Sequence, residues 1–94
     1  MAELNLPQGI ALDSKGNLYV ADYGNERVRK VVLSTGIITT IAGAGDYHFS
    51  GDGAAAVAAG VDPFDVAADS AGNVYIADNF NNRVRKVTGS TGNI

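Results

Sequence analysis

The chain has 94 residues, enough for one small domain or part of a larger one, and ten acidic against seven basic residues give it a net charge of −3. That balance argues against a general nucleic-acid binder, which needs a basic face, and the lack of cysteine excludes disulfides and thiolate metal sites. No apolar run approaches the ~20 residues of a membrane helix, and the start MAELNLPQG lacks the basic and apolar regions of a signal peptide; the chain reads as soluble, in no assignable compartment.

In chain order, residues 9–13 form a short apolar segment that closes on Asp13-Ser14-Lys15-Gly16-Asn17. Gly and Asn tolerate the positive φ of a tight turn, so residues 18–22 return as a second strand. Asp22-Tyr23-Gly24-Asn25 is the next turn, and residues 27–33 the third strand. Its alternation is imperfect, with Val28 and Lys30 on one face and Arg27, Arg29 and Val31 on the other. Ser34-Thr35-Gly36 turns into a fourth strand, residues 37–42, which is β-branched almost throughout. Residues 43–62 are a long Gly- and Ala-rich link, in which the Ala-rich stretch 54–59 suits one or two helical turns. Strands then recur at residues 65–69, 74–78 and 83–88.

The recurrence is literal. Residues 7–38 and 63–94 align without gaps at an offset of 56, with 19 of 32 positions identical. The repeat units are residues 7–62 and 63–94. The second stops at Ile94, the counterpart of Ile38, so Thr39–Ala56 has no second copy and a fourth strand is missing there. Four short antiparallel strands, repeated, describe an all-β chain built from β-propeller blades.

The stretch PQGIALDSKGNLYVADYGNERVRKV, residues 7–31, resembles the NHL-repeat blade motif, and residues 63–87 match it nearly as well. Two departures stand out, Phe64-Asp65 in place of Gln8-Gly9 and the missing fourth strand. The resemblance implies a propeller that closes with about six blades. It implies little about function, because NHL propellers include protein- and RNA-binding scaffolds and related propellers include lyases and lactonases. About two blades per chain leave apolar outer faces uncovered, so the expectation is a homo-oligomer that closes head to tail. Three chains would make a six-bladed ring, and four an eight-bladed one. Ala2–Leu6 is a candidate to cover a neighbour's open edge at strand 83–87. A chain of this kind also fits an excised or engineered propeller fragment.

No catalytic residue, cofactor or metal site is expected. Ser34, Ser50, Ser70 and Ser90 lack a nucleophile-elbow context, and D-x-H-x-x-x-D in the link fits no metal signature. Asp46, Tyr47, His48, Phe49 and Asp52 are the candidate binding face, acidic and dotted with aromatics, suited to a peptide or carbohydrate and not to nucleic acid or membrane. Asp65 is the candidate for the mouth of a central channel. Asp22, Asn25 and Arg27, and their copies Asp78, Asn81 and Arg83, are expected to be turn and ion-pair residues. The expected role is that of a non-enzymatic, self-assembling scaffold. A metal-dependent lyase or lactonase, or an RNA- or protein-binding domain, is the alternative. With one His and two Glu, the chain is poor in ligands for the former.

Overall fold

The computed structural model describes residues 3–45 and 52–94. They form two antiparallel sheets. The first contains β1 (Pro7–Leu12), β2 (Asn17–Asp22), β3 (Arg27–Val32) and β4 (Ile37–Ala42), in that spatial order. The second contains β5 (Pro63–Ala68), β6 (Val74–Asp78) and β7 (Arg83–Val87). Both sheets are open meanders of hairpins.

The turns explain the meander. Gly16 and its copy Gly72 sit at φ +82° and +86°, a region closed to most L-residues, and each ends the first strand of its sheet. The turn after β2 carries Glu26 at φ 55°, and its copy Asn82 lies at φ 54°. Asn visits this region more readily than Glu, so the two copies reach one backbone shape with different ease. In the link, a single 3-10 turn, Ala56–Ala58, occupies the Ala-rich stretch.

Past β7 the chain turns back. The Thr88 amide donates to the Asn93 carbonyl at 2.8 Å, and Asn93 forms a bridge with Ala55. On that outer side the Ile94 amide bonds the Ala54 carbonyl, and the Ala56 amide bonds the Gly92 carbonyl. The link therefore runs along the outside of residues 92–94 and satisfies their backbone groups.

The core lies between the sheets. Tyr19, Ala21 and Val28 of the first meet Val66, Val74, Ile76 and Val87 of the second, with Ala42 and Ala56 closing one side. At the inner strands the approach is tightest, where β5 lies beside β1. A Cβ on Gly9 would fall 2.9 Å from the Asp65 Cα and overlap the Asp65 carboxylate. Beside this contact the Phe64 ring meets the Tyr23 ring edge-on, with centroids 6.1 Å apart. Phe64 and Asp65 are the two residues in which the second repeat departs from Gln8-Gly9, and both serve the contact between repeats.

Gly9 is needed here for space and not for its backbone angle. Gly9→Ala is therefore expected to destabilise the chain by about 1–3 kcal/mol, the usual cost of overpacking. Urea unfolding checks this, and an unchanged midpoint would contradict the close approach.

Candidate functional site

Two carboxylate networks recur in each sheet. In the first, Asp13 accepts the Lys15 and Asn17 amides at 2.8 and 3.0 Å, the Asn17 side chain at 2.8 Å and the Tyr19 hydroxyl at 3.0 Å. Asp69 repeats this with Ala71, Asn73 and Tyr75 at 2.9–3.0 Å. Burial would raise the Asp13 pKa, but the bonds from Asn17, Lys15 and Tyr19 outweigh it and hold the carboxyl well below its ordinary range. Asp69 is likewise lowered, chiefly by Asn73. Burial, then the bond to Asp13 and its charge, push the Tyr19 hydroxyl up to about 12.

The second network surrounds Asp22 and Asp78, both fully enclosed. Asp22 accepts the Asn5 amide at 2.8 Å and the Asn25 side chain at 2.9 Å. Asp78 accepts the Asp62 amide and the Asn81 side chain, each at 2.9 Å. The cation on Asp22 is Arg29, at 3.5 Å, and on Asp78 it is Arg85, at 3.0 Å. From the sequence, the turn ion pairs are expected on Arg27 and Arg83, and the RVRK tracts that hold Arg29 and Arg85 are read only as strand charges pairing with nearby Asp. Arg27 stands directly opposite Asp22 in the strand register, and its guanidinium turns to the Asn25 carbonyl at 3.1 Å. Arg29 holds the diagonal position, which stays within reach of a long side chain.

The first repeat receives its cap from the N-terminal leader. Asn5 does for Asp22 what Asp62 does for Asp78, and the Glu3 carbonyl faces Arg29 as the Gly60 carbonyl faces Arg85. The leader thus lies on its own repeat. It holds one residue more than the link before the strand begins, and that extra residue, Leu6, adopts φ 51°.

Of the candidate binding face, Asp46, Tyr47, His48 and Phe49 lie outside the described residues. The Asp52 Oδ1 meets two nitrogens of Arg85, Nε at 2.9 Å and Nη2 at 2.8 Å. Asp65 lies against Gly9, its carboxylate accepting the Val66 amide at 2.9 Å. Asp62 is buried and accepts the Phe80 amide at 3.0 Å. A cleft of about 400 Å³ opens between the sheets over Tyr19, Ile41, Val74 and Val87, with Lys30 on its wall. Among the described residues no three His, Asp or Glu side chains converge as a metal site would need, and no helix is long and apolar enough to cross a membrane.

The sheets also present a pair of open faces. Residues 10, 18, 20 and 31 of the first sheet correspond, at the repeat offset, to 66, 74, 76 and 87 of the second. Val66 is 7% exposed inside the core, whereas its counterpart Ile10 is 67% exposed. On the opposite faces the roles reverse, with Val28 buried at 0% and its copy Val84 exposed at 75%. The Ile10 and Val84 positions are thus open where their copies are covered, while Val20, on the same face as Ile10, is itself only 4% exposed.

Residues 4–31 match the family model described as NHL repeat. Such a repeat suggests a β-propeller domain, and the all-β fold is propeller-like. Among solved structures, the chain is similar to a structural genomics protein of unknown function from Bacteroides thetaiotaomicron VPI-5482, with a TM-score of 0.77 and 29% identity. The match covers 90% of this chain and 22% of the other, so the chain spans about a fifth of that protein's length. No curated protein matches the chain.

The carboxylate networks set a pH dependence. With their folded pKa values lowered, Asp13 and Asp69 stabilise the fold above the ordinary carboxyl value near 4, and that contribution is lost as pH falls through the folded values. Tyr19 is raised, so its contribution is complete below about 10 and lost as pH rises through about 12. A spectrophotometric titration of the four tyrosines is expected to show Tyr19 ionising near pH 12, a step absent from Tyr19→Phe. Ionisation of all four together near pH 10 would contradict the Asp13–Tyr19 bond.

Proposed function

We propose that the chain is a non-enzymatic propeller module whose principal activity is self-assembly. Copies pack head to tail, with the Tyr75–Val84 face of one on the Ile10–Leu18 face of the next. The observation that carries this reading is the exchange of burial between equivalent residues. The junction inside the chain joins a face of the Tyr19 type to a face of the Val66 type, and the open faces are the other copy of each. Contiguous apolar area of this kind marks an interaction surface. A heterologous contact of two unlike faces generates a ring when its rotation closes, here of three chains and six blades, with four chains and eight blades as the next size.

The inner strands suit such a junction. At a junction between chains, Asp65 would meet Gly9 of the next copy, again one side chain against a glycine, so that no two carboxylates face each other. Asn79, the copy of Tyr23, would meet Gln8 in place of the Tyr23–Phe64 contact, pairing two amides where two rings pack within the chain. The described carboxylates support a scaffold over an enzyme, because Asp13, Asp22, Asp62, Asp69 and Asp78 are each spent on backbone amides and neighbouring side chains. Any peptide or carbohydrate ligand would fall to the face around Asp46–Phe49.

Light scattering on a sizing column tests the reading. The wild-type chain is expected at a mass of three or four copies. Val84→Asp, at a position exposed in the single chain, is expected to run as a folded monomer. A wild-type chain that is monomeric at all concentrations, or a Val84→Asp variant with unchanged mass, would overturn it.

A further inference from the structure

A second hollow, of about 330 Å³, lies between the two repeats at the turns that follow β2 and β6. Tyr23, Gly24, Glu26, Asp62 and Phe80 line it. Tyr23 and Glu26 come from the first turn and Phe80 from the second, while Asp62 ends the link just before β5. Phe64 of β5 packs edge-on against the Tyr23 ring and so fixes one wall. The carboxylates are only partly used. Asp62 is 7% exposed, and its Oδ2 accepts the Phe80 amide at 3.0 Å. Its Oδ1 and the Glu26 carboxylate make no hydrogen bond or ion pair among the described residues.

The blade itself does not demand these residues. At the repeat offset, Tyr23, Glu26, Asp62 and Phe80 correspond to Asn79, Asn82, Leu6 and Gly24. Either set makes the same backbone turn, since Glu26 and Asn82 lie at φ 55° and 54°. That region favours Asn over Glu, so the turn gains nothing from Glu26. Phe80 keeps 56% of its surface exposed. The residues that give this hollow its chemistry are thus ones that the repeat does not share, and they meet only between these two blades. Among the described residues, no lysine or arginine lines it.

We infer that this hollow binds a methylated ammonium group. Aromatic rings such as Tyr23 and Phe80 attract a cation through their quadrupoles, and the methyl groups give the ligand an apolar surface to set against them. Glu26 and the Asp62 Oδ1 supply the opposite charge. A bare metal ion suits the hollow poorly, because it needs several oxygen ligands to replace its water, and no three acidic or His side chains converge among the described residues. Two carboxylates repel an anion. The volume fits a small organic cation, at the lower end of the range for ligand sites. The hollow lies within one chain, so the inference does not depend on ring closure.

The test titrates choline chloride into the full chain at constant ionic strength and follows the backbone amide resonances. Saturable shifts are expected, centred on residues 23–26 and 79–82. The neutral isostere of choline, in which a tert-butyl group replaces the trimethylammonium, is expected to bind about tenfold more weakly, having lost the cation–π and charge attraction. Phe80→Leu removes a ring and Glu26→Gln a charge, and each is expected to weaken choline about threefold or more. The isostere leaves the protein untouched, so it decides the matter if a variant fails to fold. Acetylated trimethyllysine amide, run beside choline, tells a modified side chain from a free small cation as the source, the tighter binder naming it. Absence of saturable shifts would overturn the proposal. So would equal affinity for choline and its isostere, or choline binding at wild-type strength in both folded variants.

Discussion

A blade is apolar on both faces, and this constraint governs the rest of the molecule. Most antiparallel sheets bury one face and wet the other. Here β2 and β6 carry bulky apolar side chains toward both sides, Leu18 and Val20 opposite Tyr19, and Val74 and Ile76 opposite Tyr75. Two blades can cover only one face each. The inner junction is close enough that a methyl group on Gly9 would collide with the Asp65 backbone, and dense packing of this kind makes the junction the centre of the fold. The open faces are the same surfaces presented a second time.

The polar groups are arranged to let this packing happen. Asp13 and Asp69 tie their turns to the tyrosines of the adjoining strands, so each ring lies on its sheet face with its hydroxyl satisfied. Asp22 and Asp78 are wholly enclosed and are bound by an amide, an asparagine and an arginine, which makes their burial tolerable. The link between repeats adds to the same economy of contacts. Asp52 completes Arg85, and Ala54–Ala56 satisfies the chain after β7.

Much of the fold was legible because the repeat is a strong signal and turn chemistry is local. Gly16-Asn17 and Gly72-Asn73 mark hairpins by backbone freedom alone, and Asp22 with Asn25 reads as a turn pair from spacing. Contacts across the sheet were less legible. The bridging cation is Arg29, diagonal to Asp22, and not the facing Arg27, whose guanidinium turns to the Asn25 carbonyl. That choice is invisible in a motif where both are arginine. The salt bridge from Asp52 to Arg85 joins residues 33 apart in sequence, and no periodicity reports it. The extra residue at Leu6 could have been found only by comparing the leader with residues 57–62, where sequence identity is lost.

The central claim is that one kind of junction, two unlike faces, serves both within and between chains. Mixing two blocked variants tests it most directly. Ile10→Asp spoils the first face and leaves the second, whereas Val84→Asp does the reverse, and each alone is expected to sediment as a monomer. Mixed in equal amounts at high concentration, they should form species of two chains and none larger, because one junction remains and the ring cannot close. Self-association of either variant alone, or a mixture that stays monomeric while the wild-type chain assembles, would contradict the account.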